Sequence, residues 1–78
     1  MYLYVLRSDR TGRRYVGSCA NIVRRFHEHN TRQSKSTRHG VPWTIIYLES
    51  ATSREFAVQR ERFLKTGRGR EFIDAQLK

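Results

Sequence analysis

Cysteines, acidic residues and long apolar runs are all scarce in this sequence, and the scarcity of cysteines and of apolar runs excludes classes of protein. The only cysteine, Cys19, cannot form an intrachain disulfide, which suits a reducing compartment such as the cytoplasm. No apolar run approaches the length of a membrane span or of a signal-peptide core. We therefore expect a cytoplasmic protein without a membrane partner.

Acidic residues are so few that the chain carries a large excess of positive charge. The 16 Lys and Arg residues outnumber the 7 Asp and Glu residues, which gives a net charge of +9 over 78 residues. Such an excess can simply solvate a surface, but its field also attracts phosphate backbones of any sequence. A membrane surface is a weaker alternative, because no basic helix has a broad, uninterrupted apolar side. The composition thus favours a nucleic acid as the partner.

The apolar runs predict one small domain built on a three-stranded, largely antiparallel sheet. Residues 1–6 are apolar on both alternating sides, which is typical of a central strand covered on both faces. A polar turn at residues 8–12 separates them from a short extended run at 13–16, so we expect a β-hairpin. A third run, at 43–48, is rich in β-branched and aromatic residues and is expected to form the last strand.

Asn21 begins a stretch with helical spacing between the second and third strands. As an N-cap it is expected to open a first helix over residues 22–29. The residues that follow, 30–40, are basic and show no periodicity. They are expected to form an exposed loop, with Lys35 and Arg38 among its charges.

Capping residues and glycines predict two further helices after the third strand. Thr52, with Glu55 three residues later, fits a capping box for a second helix that runs to about Lys65. Gly67 and Gly69 are expected to break the chain there. The expected inner residues are Phe56, Ala57, Arg60, Phe63 and Leu64 in the second helix, and Phe72, Ile73 and Leu77 in a last helix over residues 70–77. The predicted order is β-β-α-β-α-α, an α+β fold in which helices flank the sheet.

Residues 15–29 gather the side chains that could act on a phosphate ester. Arg25 and His29 are four residues apart and project from the same side of the predicted helix. Tyr15 lies just before that helix, and Tyr4 lies on the adjacent strand of the hairpin. Each has an ordinary structural explanation: the tyrosines as core, Arg25 as a surface residue, and His29 as a helix-terminal residue that interacts with the helix dipole. Together they would bring phenol, guanidinium and imidazole groups toward one cleft.

Glu61 is the carboxylate with the clearest reason to be functional. Helix spacing puts it beside the buried stripe of the helix and not on the opposite, solvent-facing side. A carboxylate next to buried residues needs a cationic partner. That partner is either a nearby arginine, in a structural ion pair, or a metal ion. One carboxylate completed by water and substrate phosphate suits magnesium. The pattern alone leaves both alternatives open.

These residues make the chain resemble the GIY-YIG nuclease family over nearly its whole length. Tyr2-Leu3-Tyr4 stands where the first tripeptide of the family falls, and Tyr15-Val16-Gly17 matches the second. Arg25 and His29 look like the family's helix Arg and His, and Glu61 resembles its metal-binding glutamate. The chain is similar to small stand-alone bacterial members and to the N-terminal nuclease domain of the excinuclease. It departs from the pattern in having Tyr2 where glycine is usual and no asparagine after Asn30.

The resemblance implies a nuclease that hydrolyses DNA phosphodiester bonds with Mg²⁺ or Mn²⁺, on branched or damaged DNA in repair or recombination. Glu61 would hold the metal, Tyr4 or Tyr15 would position or deprotonate the attacking water, with a pKa lowered by the metal and nearby cations, and Arg25 would stabilise the developing charge. His29 would orient Tyr4 or relay a proton. The expected phosphate contacts are Arg24, Lys35, Arg38, Lys65, Arg68 and Arg70. The alternative is a non-catalytic nucleic-acid-binding module that keeps the fold.

Overall fold

A computed structural model describes residues 1–77 and has the predicted order β-β-α-β-α-α. The strands are β1 (Tyr2–Ser8), β2 (Arg14–Cys19) and β3 (Trp43–Ser50), and the helices are α1 (Ile22–Asn30), α2 (Arg54–Leu64) and α3 (Gly67–Gln76). The sheet has the order β2-β1-β3, and both pairings are antiparallel. The α+β fold predicted from the sequence is therefore confirmed. Across residues 1–77, none of the helices has the length and apolarity that a membrane crossing requires.

Strand β1 is central because its side chains alternate between two separate apolar clusters. Leu3 and Val5 are buried against the helices α2 and α3, in a cluster that includes Ala57, Leu64 and Ile73. Tyr4 and Leu6 point to the opposite face, where Trp43 and side chains of β2 and α1 cover them. Each face of the sheet is thus closed by a different part of the chain.

Strand β2 is longer than predicted and does not end at residue 16. It pairs with β1 from Arg14 opposite Arg7 to Cys19 opposite Tyr2, so Gly17 lies inside the ladder. Continuous pairing with a buried neighbour outweighs the weak strand preference of glycine. Cys19, the last residue of the strand, is partly covered.

The segment between α1 and β3 is anchored, so the prediction of a wholly exposed loop is wrong. Ser34, Thr37 and Gly40 are buried, and residues Arg38–Gly40 form a short 3₁₀ turn. The indole N–H of Trp43 donates to the carbonyl of Thr37 at 2.7 Å. The Ser8 hydroxyl donates to the carbonyl of Gly40 at 2.6 Å, which ties the segment to the hairpin.

Helix α2 begins one residue later than predicted, because Ser53 and not Thr52 is its N-cap. The Ser53 hydroxyl accepts from the backbone N–H of Phe56 at 3.1 Å, and Glu55 lies in the first turn without closing the predicted box. Ala57 and Leu64 face the sheet as predicted. Phe56 does not, since it is 48% exposed.

Helix α3 begins at Gly67, so the two glycines expected to break the chain lie in its first turn. Thr66 is the N-cap and accepts from the backbone N–H of Gly69 at 3.1 Å. A Cβ at position 69 would lie 2.5 Å from the Cα of Leu64, so only glycine permits this approach of α3 to α2. Ile73 is buried as predicted, whereas Leu77 is exposed.

Candidate active site

His29 is fully buried, and both of its ring nitrogens are engaged. Its Nε2 lies 2.9 Å from the hydroxyl of Tyr4, which β1 supplies. Its Nδ1 lies 2.7 Å from the hydroxyl of Thr37, in the anchored segment before β3. The interpretation of His29 as an ordinary helix-terminal residue is therefore wrong, because the ring connects three elements of the fold.

The protonation of this buried pair follows from its environment. Burial, helped by the positive charge of Arg25, lowers the pKa of His29 to about 4, so the ring is neutral near pH 7. A neutral imidazole donates from one nitrogen and accepts at the other. Burial also raises the pKa of Tyr4 to about 12, although Arg25 acts in the opposite direction. The cations of the protein alone thus do not produce the lowered pKa expected of this tyrosine.

Tyr15 and Gly17 complete the aromatic wall on the α1 side of β2. The Tyr15 ring lies 6.3 Å from that of Tyr4 and 5.1 Å from that of His29, measured between centroids. A Cβ at position 17 would lie 2.5 Å from the Tyr4 hydroxyl oxygen. The glycine of the second tripeptide is therefore required by close packing against Tyr4. The structure brings Tyr4, Tyr15 and His29 together, as the spacing predicted.

Arg25 lies at the edge of this aromatic wall and is held by Glu28. Its Nη1 donates to the Glu28 carboxylate at 2.9 Å, and Arg24 donates to the same group at 3.2 Å. This bond to Glu28, with smaller contributions from Tyr4 and Tyr15, raises the pKa of Arg25, so the guanidinium is permanently charged. The side chain of Arg25 is 33% exposed, whereas that of Arg24 is 79% exposed. The two neighbouring arginines therefore occupy different environments.

Glu61 approaches β2 from the opposite side, through Ser18. One carboxylate oxygen accepts from the Ser18 hydroxyl at 2.8 Å, and the other accepts from the ammonium of Lys65, also at 2.8 Å. The structural alternative of an arginine partner is therefore wrong, because the cation is Lys65. Since Ser18 follows Gly17 along β2, Glu61 meets the strand next to the glycine that packs on Tyr4.

The donor set around Glu61 fits a hydrated magnesium ion better than zinc. Residues 1–77 contain no group of three or more His, Cys, Asp or Glu side chains that could enclose a metal. Burial alone would raise the pKa of Glu61, but Lys65 and Ser18 hold it below its ordinary value, so the carboxylate is ionised. One ionised carboxylate beside open solvent suits a cation that keeps most of its waters. Lys65 would have to leave the carboxylate for such an ion to bind.

The other predicted phosphate contacts lie on the surface as expected. Lys35 and Arg38 are exposed on the anchored segment, and Arg68 and Arg70 are exposed on α3. Lys65 is also exposed but bonded to Glu61.

Sequence reasoning missed three residues that the structure places against the predicted site residues: Thr37, Glu28 and Ser18. Only Glu28 had a local signal, because it lies three residues after Arg25 and four after Arg24 on one helix.

Comparisons with known proteins give matches over most of the chain. The family model described as the GIY-YIG catalytic domain matches residues 1–72. A UPF0213 protein of Streptococcus agalactiae serotype V is 34% identical over 65 residues, covering 82% of this chain and 73% of that protein. A UPF0213 protein of Streptococcus pneumoniae serotype 4 is 37% identical over 65 residues, covering 82% of this chain and 65% of that protein. No solved structure gives a significant match.

Proposed function

Because the chain belongs to the GIY-YIG family, we propose that it is a DNA endonuclease that hydrolyses phosphodiester bonds with Mg²⁺ or Mn²⁺. The observation that carries the proposal is the packing of Tyr4, Tyr15 and His29 on one another, with Gly17 against the two tyrosines and Arg25 at the edge. A buried imidazole bonded to a buried phenol is a costly way to fill a core, since apolar side chains of similar size carry no polar atoms to satisfy. The proposed substrates are branched or damaged DNA, as in repair or recombination.

The environments of the two tyrosines support different roles for them. Tyr4 is 1% exposed, and its hydroxyl is engaged with His29. Tyr15 is half-buried, so of the two tyrosines it is the one with surface available to substrate and water. We assign Tyr15 to orienting the attacking water, and the Tyr4–His29 pair to holding the Tyr15 ring in place.

Arg25 is the group that would bind the scissile phosphate. Its permanent charge and its partly enclosed position allow it to stabilise the negative charge that builds up as water attacks phosphorus and one ester P–O bond breaks. The departing oxygen then takes a proton from solvent. A metal ion held by Glu61 would supply charge neutralisation at the phosphate oxygens.

The alternative, a nucleic-acid-binding module without cleavage, draws on one specific observation. Lys65 occupies a Glu61 oxygen at 2.8 Å, in the position that a cation would need. If the lysine is not displaced, the domain retains its positive field but has no metal site.

Glu61→Gln separates the two functions, because it removes the charge that a hard cation requires and keeps the shape of the side chain. The Glu61–Lys65 pair is solvent-exposed enough that its loss should cost about 1 kcal/mol or less. We expect the variant to keep its melting temperature and its DNA binding and to lose cleavage. The assay uses plasmid, single-stranded and branched DNA, with magnesium or EDTA.

Glu71→Gln is the matched control, since it removes the same charge from an exposed position on α3. It should cut DNA as the unmodified protein does. Cleavage by Glu61→Gln at the control rate would exclude Glu61 as the metal ligand. Binding without cleavage of any substrate by the unmodified protein would establish the binding module instead.

A further inference from the structure

Two adjoining cavities lie between strand β2 and helix α3, outside the residues assigned to catalysis except where Tyr15 lines one wall. The first has a volume of about 270 Å³, and its polar lining includes Arg14, Lys65 and Arg70. The second, of about 520 Å³, shares Arg14 and Arg70 and adds Arg13 and Asp74. Because they share Arg14 and Arg70, we treat them as one basic cleft, which Tyr15 lines in part.

Arg14 is the residue that makes this cleft more than a charged surface. One guanidinium nitrogen, Nη2, donates to the Asp74 carboxylate at 2.6 Å. The other, Nη1, is buried and has no hydrogen-bond partner in the part of the chain that the structure describes. A buried charged donor without an acceptor is unfavourable, so Arg14 has an unmet hydrogen bond that a shift of its side chain toward an anion in the cleft would satisfy.

The charges around the cleft select for an anion with several oxygens. The second cavity is lined by three arginines, Arg13, Arg14 and Arg70, and by a single carboxylate, that of Asp74. The charge of Lys65 is partly neutralised by Glu61. Asp74 is half-exposed and binds Arg14 through a single oxygen. A phosphate can offer oxygens to both guanidinium nitrogens at once, which a single bond to Asp74 does not do.

We propose that this cleft is a second phosphate-binding site, in which Arg14 and Arg70 bind a phosphate of a nucleic acid strand and displace Asp74 from Arg14. The identity of the ligand as a nucleic acid rests on the proposed function. Tyr15 lines this cleft in part, but its ring packs with Tyr4 and His29 on the α1 side of β2, so the bound phosphate is a separate one from the phosphate proposed for cleavage. The site would fix the direction in which the nucleic acid crosses β2. Asp74 acts as an internal anion whose place at Arg14 the phosphate takes.

The sharpest test compares two acidic residues of α3 that differ in their relation to the cleft. Asp74→Asn frees Arg14, whereas Glu71→Gln removes the same charge from a position that lines neither cavity. Binding is measured by fluorescence anisotropy with a labelled DNA duplex in EDTA. We expect Asp74→Asn to tighten binding by about threefold or more relative to Glu71→Gln. Equal effects would show a diffuse field and overturn the proposal.

Two arginine pairs test the same site from the other direction. Arg14→Gln should weaken binding more than Arg10→Gln in the hairpin turn, and Arg70→Gln more than Arg68→Gln on α3. Melting curves of each variant check that it is folded. If Arg14→Gln does not fold, Asp74→Asn still tests the site. Equal losses within both pairs would contradict the site.

Two nicked duplexes resolve the source of the phosphate. One carries a phosphate and the other a hydroxyl on the 5′ end at the nick. Preference for the phosphate, lost in Arg14→Gln, identifies a terminal phosphate as the ligand. If the two duplexes bind equally and Arg14→Gln weakens the binding of both, the ligand is an internal phosphodiester. All these measurements are made without metal and do not depend on cleavage. Absence of cleavage in the separate assay with magnesium would therefore overturn the nuclease proposal and leave this one standing.

Discussion

His29 illustrates how burial changes the chemistry of a residue whose position in the sequence indicates something ordinary. Near the end of a helix, a histidine is usually exposed and interacts with the helix dipole. Here the ring is enclosed by Tyr4, Tyr15 and Thr37, and it is neutral because charging it would require solvation that the site does not offer. The interactions with Tyr4 and Thr37 then fix its orientation.

Stability should depend on pH through His29. Its pKa falls from 6.5 to about 4 on folding, so the unfolded chain binds more protons between these values. The stabilising contribution is complete above pH 6.5 and is lost as the pH falls toward 4. We expect a loss of about 2 kcal/mol between pH 6.5 and pH 5, measured by urea unfolding. The carboxylates with lowered pKa values titrate below this window.

The variant His29→Gln should show a much shallower pH dependence over the same range, whatever its absolute stability. His27→Gln, at an exposed position of the same helix, should retain the slope of the unmodified protein. An unchanged slope in His29→Gln would show that the buried imidazole does not cause the effect.

Arg25 and Arg24 allow a comparison of charge with position. Both donate to Glu28, but their directions on the helix differ by about 100°. We expect Arg25→Ala to reduce the cleavage rate at saturating DNA by about a hundredfold or more, as loss of one transition-state donor does in other enzymes. Arg24→Ala should mainly weaken binding. Similar cleavage rates for the two variants would argue against a catalytic role for Arg25.

At this scale, the sequence predicted the contacts that follow from local geometry. Arg25 and His29 share a helix side because they are four residues apart, and Tyr4 meets Tyr15 because their strands are neighbours in a hairpin. The partner of His29 on its other nitrogen, Thr37, belongs to a segment without periodicity. Its position depends on Trp43 and Ser8, so no spacing rule could reveal it.

At the scale of elements, the packing of α3 on α2 shows why a glycine can be misread. Glycine has a low helix propensity, and two of them in three residues predict a break. The cost is outweighed here because Gly69 lets the backbones approach, while Thr66 caps the turn. The sequence therefore predicted that a helix exists after residue 67 and missed where it begins. The start of α2 was misplaced for a simpler reason, since Thr52 and Ser53 are both good N-caps.

The two glycines of α3 should respond in opposite directions to replacement by alanine. A Cβ at position 69 meets the backbone of α2, so Gly69→Ala should destabilise the domain by about 1–3 kcal/mol. A Cβ at position 67 meets nothing within 4 Å, so Gly67→Ala should be neutral or stabilising by up to about 1 kcal/mol. Urea unfolding of both variants provides the measurement. Equal effects would mean that helix propensity, and not close packing, governs this junction.

At the scale of the whole molecule, a net charge of +9 on 78 residues makes phosphate binding strongly dependent on salt. The exposed cations include Lys35 and Arg38 on the anchored segment and Arg68 and Arg70 on α3. Neutralising about 4 to 6 phosphates should give a slope of roughly −3 to −5 in a plot of log binding constant against log salt concentration. Anisotropy titrations from low to moderate salt measure the slope. A value near zero would exclude phosphate-dominated binding.

The central position of β1 also determines the order in which the domain can assemble during synthesis. Its partner β2 follows after a short turn, but its other partner, β3, begins at Trp43. A nascent chain that ends before this residue therefore has a hairpin with one open apolar edge, which other chains can pair with. Joining β1 to β3 closes a long loop and is the slower step. Trp43 can cover Tyr4 only after β3 has joined the sheet, so the cluster of Tyr4, Tyr15 and His29 is among the last parts of the domain to form.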